Sequence, residues 1–171
     1  MRPEARDPEP EPHPLRDPDP VRDPWRPAMR AALAAAAEAA RAGEIPVGAL
    51  VLDASGTELA RARNEREATH DPTAHAEVLA LRRAAAVRGE WRLTGCTLVV
   101  TLEPCPMCAG ALAQSRVERV VYGARDPKAG AAGSQWDLLR DRRLNHRAEV
   151  IGGVLAADST ALLDAFFTAT R

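Results

Sequence analysis

No stretch of this 171-residue chain comes near the roughly 20 consecutive apolar residues that a helix needs to cross a bilayer. Its first residues also lack the basic segment and apolar core of a secretory leader. Both absences predict a soluble cytoplasmic protein. Cysteine is scarce, at three residues. Cys105 and Cys108 share one motif, so only Cys96 is left over and no intrachain disulfide is expected in a reducing compartment. Cys96 precedes the apolar run Thr97–Leu102 and reads as a small buried core residue. An excess of charge of one sign is missing too, the formal net charge being −1.

That near-neutrality is unevenly spread. Residues 1–24 carry eight of the 14 prolines in a run of Asp-Pro and Glu-Pro pairs, with no periodic apolar positions that could bury a core. This segment reads as a disordered acidic tail, and residues 25–171 as one catalytic domain. The tail takes four of the 23 basic and seven of the 24 acidic residues, which leaves 19 basic against 17 acidic in the remainder. A domain at +2 can bind an anionic substrate locally but lacks the basic excess of a protein that grips nucleic acid without selectivity.

What is present alternates between helix and strand patterns. Residues 27–42, with Pro27 at the start and Gly43 past the end, read as a helix. Val47–Leu52 and Glu58–Arg63, joined across Gly56, read as a hairpin. Asp71-Pro72-Thr73 supplies capping chemistry for a helix over 74–88, and Thr97–Leu102 is a continuous apolar strand of the kind buried on both faces. Cys105–Ser115 is the next expected helix, Val117–Tyr122 and Glu149–Val154 are further strands, and Asp158–Thr168 is the last helix. Strands alternating with helices predict an α/β chain with a mixed sheet.

The chemistry-bearing feature is split: His75-Ala76-Glu77, then Pro104-Cys105-Pro106-Met107-Cys108. His75, Cys105 and Cys108 make three ligands for one zinc ion, the number a catalytic zinc takes when its fourth position is left to water. Cys105 and Cys108, at i and i+3, fall on one helix face. His75 and Glu77 lie two residues apart, and at a first helical turn both can face one cavity. Two thiolates cancel the charge of the metal and leave its water less acidified than three histidines would, so a built-in base is needed. Glu77 is the candidate, able to take a proton from water and return it to a departing amine.

Competing readings exist for each piece. A lone Cys-x-x-Cys can be a redox dithiol, but no thioredoxin-like context surrounds it. A closed structural zinc needs a fourth ligand, for which His70 is the nearest spare. His13 lies in the tail, His146 reads as a structural or surface histidine, and Glu103 as a strand-end carboxylate.

The stretches His70-Asp71-Pro72-Thr73-Ala74-His75-Ala76-Glu77, Thr101–Cys105 with Met107-Cys108-Ala109-Gly110, and Gly123-Ala124-Arg125-Asp126 with Lys128 and Gly130–Ser134 resemble the bacterial tRNA-specific adenosine deaminases of the cytidine-deaminase-like superfamily. The likeness runs from about residue 25 to the C-terminus. It implies the three-layer cytidine-deaminase-like fold with helices on both faces of the sheet, and a homodimer. It also implies hydrolytic conversion of adenosine to inosine at the wobble position (34) of a tRNA anticodon, typically that of the arginine tRNA reading ACG. By position, His75, Cys105 and Cys108 hold one Zn²⁺ per subunit and Glu77 moves protons to purine N1 and to the leaving ammonia. Asn64 corresponds to a residue that bonds the flipped base, the Ala76 backbone lies beside that pocket, and Arg125, Asp126 and Lys128 form a polar loop that meets RNA. Phe166 and Phe167 offer one ring to a flanking base. The metal motifs belong to the whole superfamily, so a free-base or nucleotide deaminase acting on cytosine or guanine is the alternative. The acidic tail departs from the family pattern.

Overall fold

The computed structural model describes residues 18–170. Their strands β1 (Gly48–Leu52), β2 (Glu58–Arg63), β3 (Thr97–Leu102), β4 (Arg119–Ala124) and β5 (Glu149–Ile151) form one sheet in the order β2-β1-β3-β4-β5. β1 is antiparallel to β2 and β3, whereas β3, β4 and β5 run parallel. The helices are α1 (Arg26–Arg41), α2 (Arg66–Thr69), α3 (Ala76–Arg88), α4 (Pro106–Gln114) and α5 (Ala156–Ala169).

The strand period of two sends alternate residues to opposite faces, which gives the sheet two cores. Leu50, Val99 and Val121 pack with Met29 and Ala32 of α1. Ala49, Val51, Leu98, Val100 and Val120 pack with Ala80 and Ala84 of α3 and Ala109 and Leu112 of α4. Helices therefore cover both faces, in the three layers the resemblance implied. Alanine-rich α1 lies very close to the sheet, because a Cβ on Gly48 would overlap the carbonyl oxygen of Ala32. Among the described residues no helix is long and apolar enough to cross a membrane.

Several boundaries move. β4 starts two residues later than expected, because Arg116 turns the chain at φ 63° and Val117 is buried in the turn, its carbonyl bonded by His146 Nε2 at 2.6 Å. β5 stops at Ile151, before Gly153 turns the backbone at φ 85°. Helix α2 has no counterpart in the sequence reading. It is one polar turn with no apolar period to signal it, pinned where Glu44 Oε1 accepts the Ala68 N–H at 2.9 Å.

The expectation of a disordered tail through residue 24 does not hold for residues 18–24. Asp19 accepts the Arg22 N–H at 3.0 Å, Asp23–Trp25 forms a 3-10 turn, and Arg22 Nε donates to the Gly152 carbonyl at 2.7 Å. Polar bonds, not apolar burial, dock this segment. The remainder of the tail, with His13, lies outside the described residues.

Candidate active site

Two helix N-termini bring the split motif together. His75 is the N-cap of α3, in extended conformation at φ −75° and ψ 149°, and Cys105 is the N-cap of α4 at φ −73° and ψ 171°. Neither side chain caps its own helix, so both are free to face the space between. Asp71 does not cap α3 as expected. Its Oδ1 accepts the Thr73 N–H at 2.8 Å and closes the preceding turn. The first N–H of α3, on Ala76, goes instead to Asn64 Oδ1 at 3.0 Å, while Asn64 Nδ2 donates to the Ile45 carbonyl at 3.1 Å. Asn64 thus ties the start of α3 to the segment leading into β1.

His75 Nδ1 lies 3.7 Å from Cys105 Sγ and 3.4 Å from Cys108 Sγ, and the three donor atoms all fall within 4.8 Å of one another. Zinc with ordinary Zn–S and Zn–N bonds at tetrahedral angles would set nitrogen and sulfur about 3.6 Å apart. The donor set therefore fits zinc, and among the described residues these three are the only cluster of metal-binding type. His70 is exposed, sits at a left-handed φ of 53°, and does not belong to it. The site has three protein donors, which is the open arrangement.

Glu77 is 4% exposed. Burial pushes its carboxyl up to about 7, a backbone N–H works against that, and the Cys105 sulfur adds to it. A carboxyl poised there can both accept and release a proton near neutrality. The Cys105 thiol is drawn down to about 4, chiefly by its hydrogen bond with Cys108 and also by His75. The same bond, together with burial, pushes Cys108 far up, and the contact with Cys105 raises His75. A dication held there would keep both sulfurs as thiolates.

His75, Glu77 and Cys105 line one cavity of about 300 Å³ together with Asn64, Asp126 and apolar Ile45, Val47 and Leu102. Ala76 is fully buried and not in its wall, and its N–H is taken by Asn64. Arg66, from α2, also lines the cavity. Sequence reasoning missed it, and nothing but tertiary placement distinguishes it from the other arginines. Beside the cavity, and sharing Ile45, Leu102 and Asp126 with it, runs a groove of about 530 Å³ lined by Arg125, Lys128, Leu163 and Phe167. Phe167 is the exposed ring of the pair, and Phe166 is half-buried and packs edge-on to it at 5.5 Å.

The loop 125–134, which lends Asp126 and Ala129 to the cavity wall, is held by one buried carboxylate. Glu103 accepts N–H bonds from Asp126, Ala132 and Ser134, each at 3.0 Å, and a short bond from the Ser134 hydroxyl. Burial alone would raise its carboxyl, but these four donors hold it below the ordinary glutamate value. Asp126 Oδ1 in turn accepts the Lys128 N–H at 2.9 Å. Glu103 sits two residues before Cys105, so one peptide segment carries both a donor of the metal-fitting triad and the carboxylate that holds the loop 125–134.

Residues 25–124 match the family model of the cytidine and deoxycytidylate deaminase zinc-binding region. The chain is 50% identical over 143 residues to the tRNA-specific adenosine deaminase of Bacillus subtilis, covering 84% of this chain and 88% of that one. It is 53% identical over 144 residues to the tRNA(Ile)-lysidine synthase of Deinococcus deserti, but spans only 27% of that longer protein. A solved tRNA:A34 deaminase, from a study of A-to-I editing at the wobble position of transfer RNA, superposes with a TM-score of 0.76 at 38% identity, covering 79% of this chain and 97% of the other. With the zinc-fitting triad, these likenesses place the cofactor as zinc. The chain belongs to the cytidine and deoxycytidylate deaminase family, among the tRNA-specific adenosine deaminases.

Proposed function

We propose that the protein hydrolyses adenosine to inosine at the wobble position of a tRNA anticodon loop, with release of ammonia. The observation that carries this reading is the buried Glu77 carboxyl in the same cavity as a three-donor zinc site. Bound there by His75, Cys105 and Cys108, zinc supplies the Lewis acidity that makes water a nucleophile near neutral pH. Glu77 takes a proton from the attacking water and delivers it to purine N1 as C6 becomes tetrahedral, then takes the remaining proton from the new C6 hydroxyl and passes it to the amine, which leaves as ammonia. Asn64 keeps one amide N–H beyond its bond to Ile45 and presents it from the cavity wall to the base.

A cavity of this size takes one base, so the substrate must offer an adenine that is already unstacked or cheaply extruded. A single-stranded anticodon loop does so without breaking a duplex. Arg125, Asp126 and Lys128 then lie along the path of the flanking strand, and Phe167 offers a face for stacking. The arginine tRNA reading ACG is the first substrate to try. A homodimer and a cytoplasmic location belong to the same reading.

The test compares an anticodon stem-loop carrying adenosine at the wobble position with free adenosine, cytosine and guanine, read by mass spectrometry and by ammonia release. Conversion of the stem-loop well ahead of every free base or nucleoside is expected. Faster turnover of any free base would move the chain to small-molecule deamination.

A further inference from the structure

A second concavity of about 330 Å³ shares Arg125 with the apolar groove. It is walled by backbone that carries no side chains: a Cβ on Gly152 would come 2.6 Å from the Tyr122 hydroxyl, one on Gly153 3.2 Å from Arg22 Nε, and one on Gly133 3.2 Å from Arg140 Nη2. Three glycines therefore leave room for donors that any other residue would crowd. Tyr122 is 2% exposed, yet its hydroxyl has no hydrogen-bond partner among the described residues, and it lines this pocket. Among the described residues no buried side-chain oxygen lacks a partner, so this hydroxyl is one that the pocket itself reaches, open to water or to a ligand.

Three guanidiniums converge on the same space. Arg22 is fixed by Gly152 and by an ion pair with Asp19 at 2.9 Å, and Arg140 by Asp137 at 3.0 Å. Arg125 makes no ion pair with a described residue. Asp19 and Asp137 thus hold two of the three guanidiniums in place, and Arg125 is left without a carboxylate partner among the described residues.

We propose that the pocket formed by Tyr122, Arg22, Arg125 and Arg140 is a phosphate subsite, and that it takes a backbone phosphodiester of the RNA whose base enters the zinc cavity. The assignment rests on the reading that RNA is the substrate. Arg125 links the two regions, since it lines both this pocket and the groove that adjoins the cavity. Phosphate fits the donor set because it accepts several charge-assisted bonds at once, from guanidinium forks and from a phenolic hydroxyl.

Fluorescence anisotropy with a labelled anticodon stem-loop over a salt series tests the subsite in the full-length zinc enzyme. Tyr122→Phe, which removes one oxygen, should weaken binding about five- to tenfold. Arg140→Gln should weaken it about tenfold and lower the slope of log affinity against log salt by about one. Inorganic phosphate should broaden its phosphorus resonance with the wild type and not with either variant. If the wild type deaminates the stem-loop while both variants bind it with wild-type affinity and slope, the subsite is overturned and the proposed function stands. If the wild type does not act on the stem-loop, the proposed function falls, and the phosphorus measurement alone decides the pocket: broadening that neither substitution alters overturns it.

Discussion

The zinc cavity and the groove beside it are built in opposite ways. Cavity groups sit at the ends of regular elements, with Glu77 and Cys108 buried and His75 and Cys105 at helix N-termini. Groove groups sit on the loop 125–134 and on α5, a helix whose only fully buried residue is Ser159. In the first region a few groups each carry a large effect, because desolvated charge is costly to misplace. In the second the effect is divided among exposed side chains, each worth little. Chemistry and recognition therefore differ in how much one substitution can do.

The sharpest break in that contrast comes from removing a proton carrier without disturbing the metal. Glu77→Gln should keep its zinc and lower turnover about 10²- to 10⁴-fold, whereas Cys105→Ala should lose both zinc and turnover. Elemental analysis alongside the rate separates the two. A Glu77→Gln protein emptied of zinc would make Glu77 a ligand, and one with near-normal turnover would remove it from the proton path.

Glu103 belongs to both regions, and its substitution tests whether they are separable. Glu103→Gln keeps an acceptor oxygen but turns an NH₂ toward donors that met a carboxylate, at a cost of about 2–4 kcal/mol in stability. The carboxyl is held below its ordinary value in the folded state. Its contribution is therefore fully present above the unfolded-state value and lost as pH falls through the folded one. Melting temperatures of wild type and variant should differ most above the unfolded-state glutamate value and converge as pH falls below it. A difference that stays constant with pH would mean that the clamp does not depend on charge.

How much of each region was legible from sequence follows the same division. Thr97–Leu102 occupies the residues expected, and α1, α3, α4 and α5 fall within two residues of their patterns at each end, since apolar period and Pro and Gly placement are local. The metal cluster was legible because His, Cys and Glu at those spacings have few other uses. Asn64 was placed by resemblance at the base, but its cap on Ala76 is a bond across 12 residues that no local pattern records. The docking of Arg22 on Gly152 spans 130 residues and was read as disorder for the same reason. Asn64→Ala should consequently do two things: cost about 1 kcal/mol of stability through the lost cap, and lower turnover through a misplaced Glu77 and a lost base contact. Calorimetry with the rate constant checks both, and an unchanged melting temperature would refute the capping role.

The smallest expected effect is at Lys128. Its backbone N–H is tied to Asp126, but its side chain is exposed and lines the groove, so the ammonium contributes through long-range attraction to phosphate and not through a desolvated contact. Such a contribution is screened within roughly 8 Å at physiological salt. Lys128→Ala should therefore weaken stem-loop binding by only a few-fold, about threefold, and reduce the salt slope by about one. Zinc content and stability should be unaffected, because no ion pair holds this side chain to another described residue. The measurement is the same salt series used for the phosphate pocket, which makes the two regions directly comparable. A loss as large as that of Glu77→Gln would show that recognition, like chemistry, rests here on a single group.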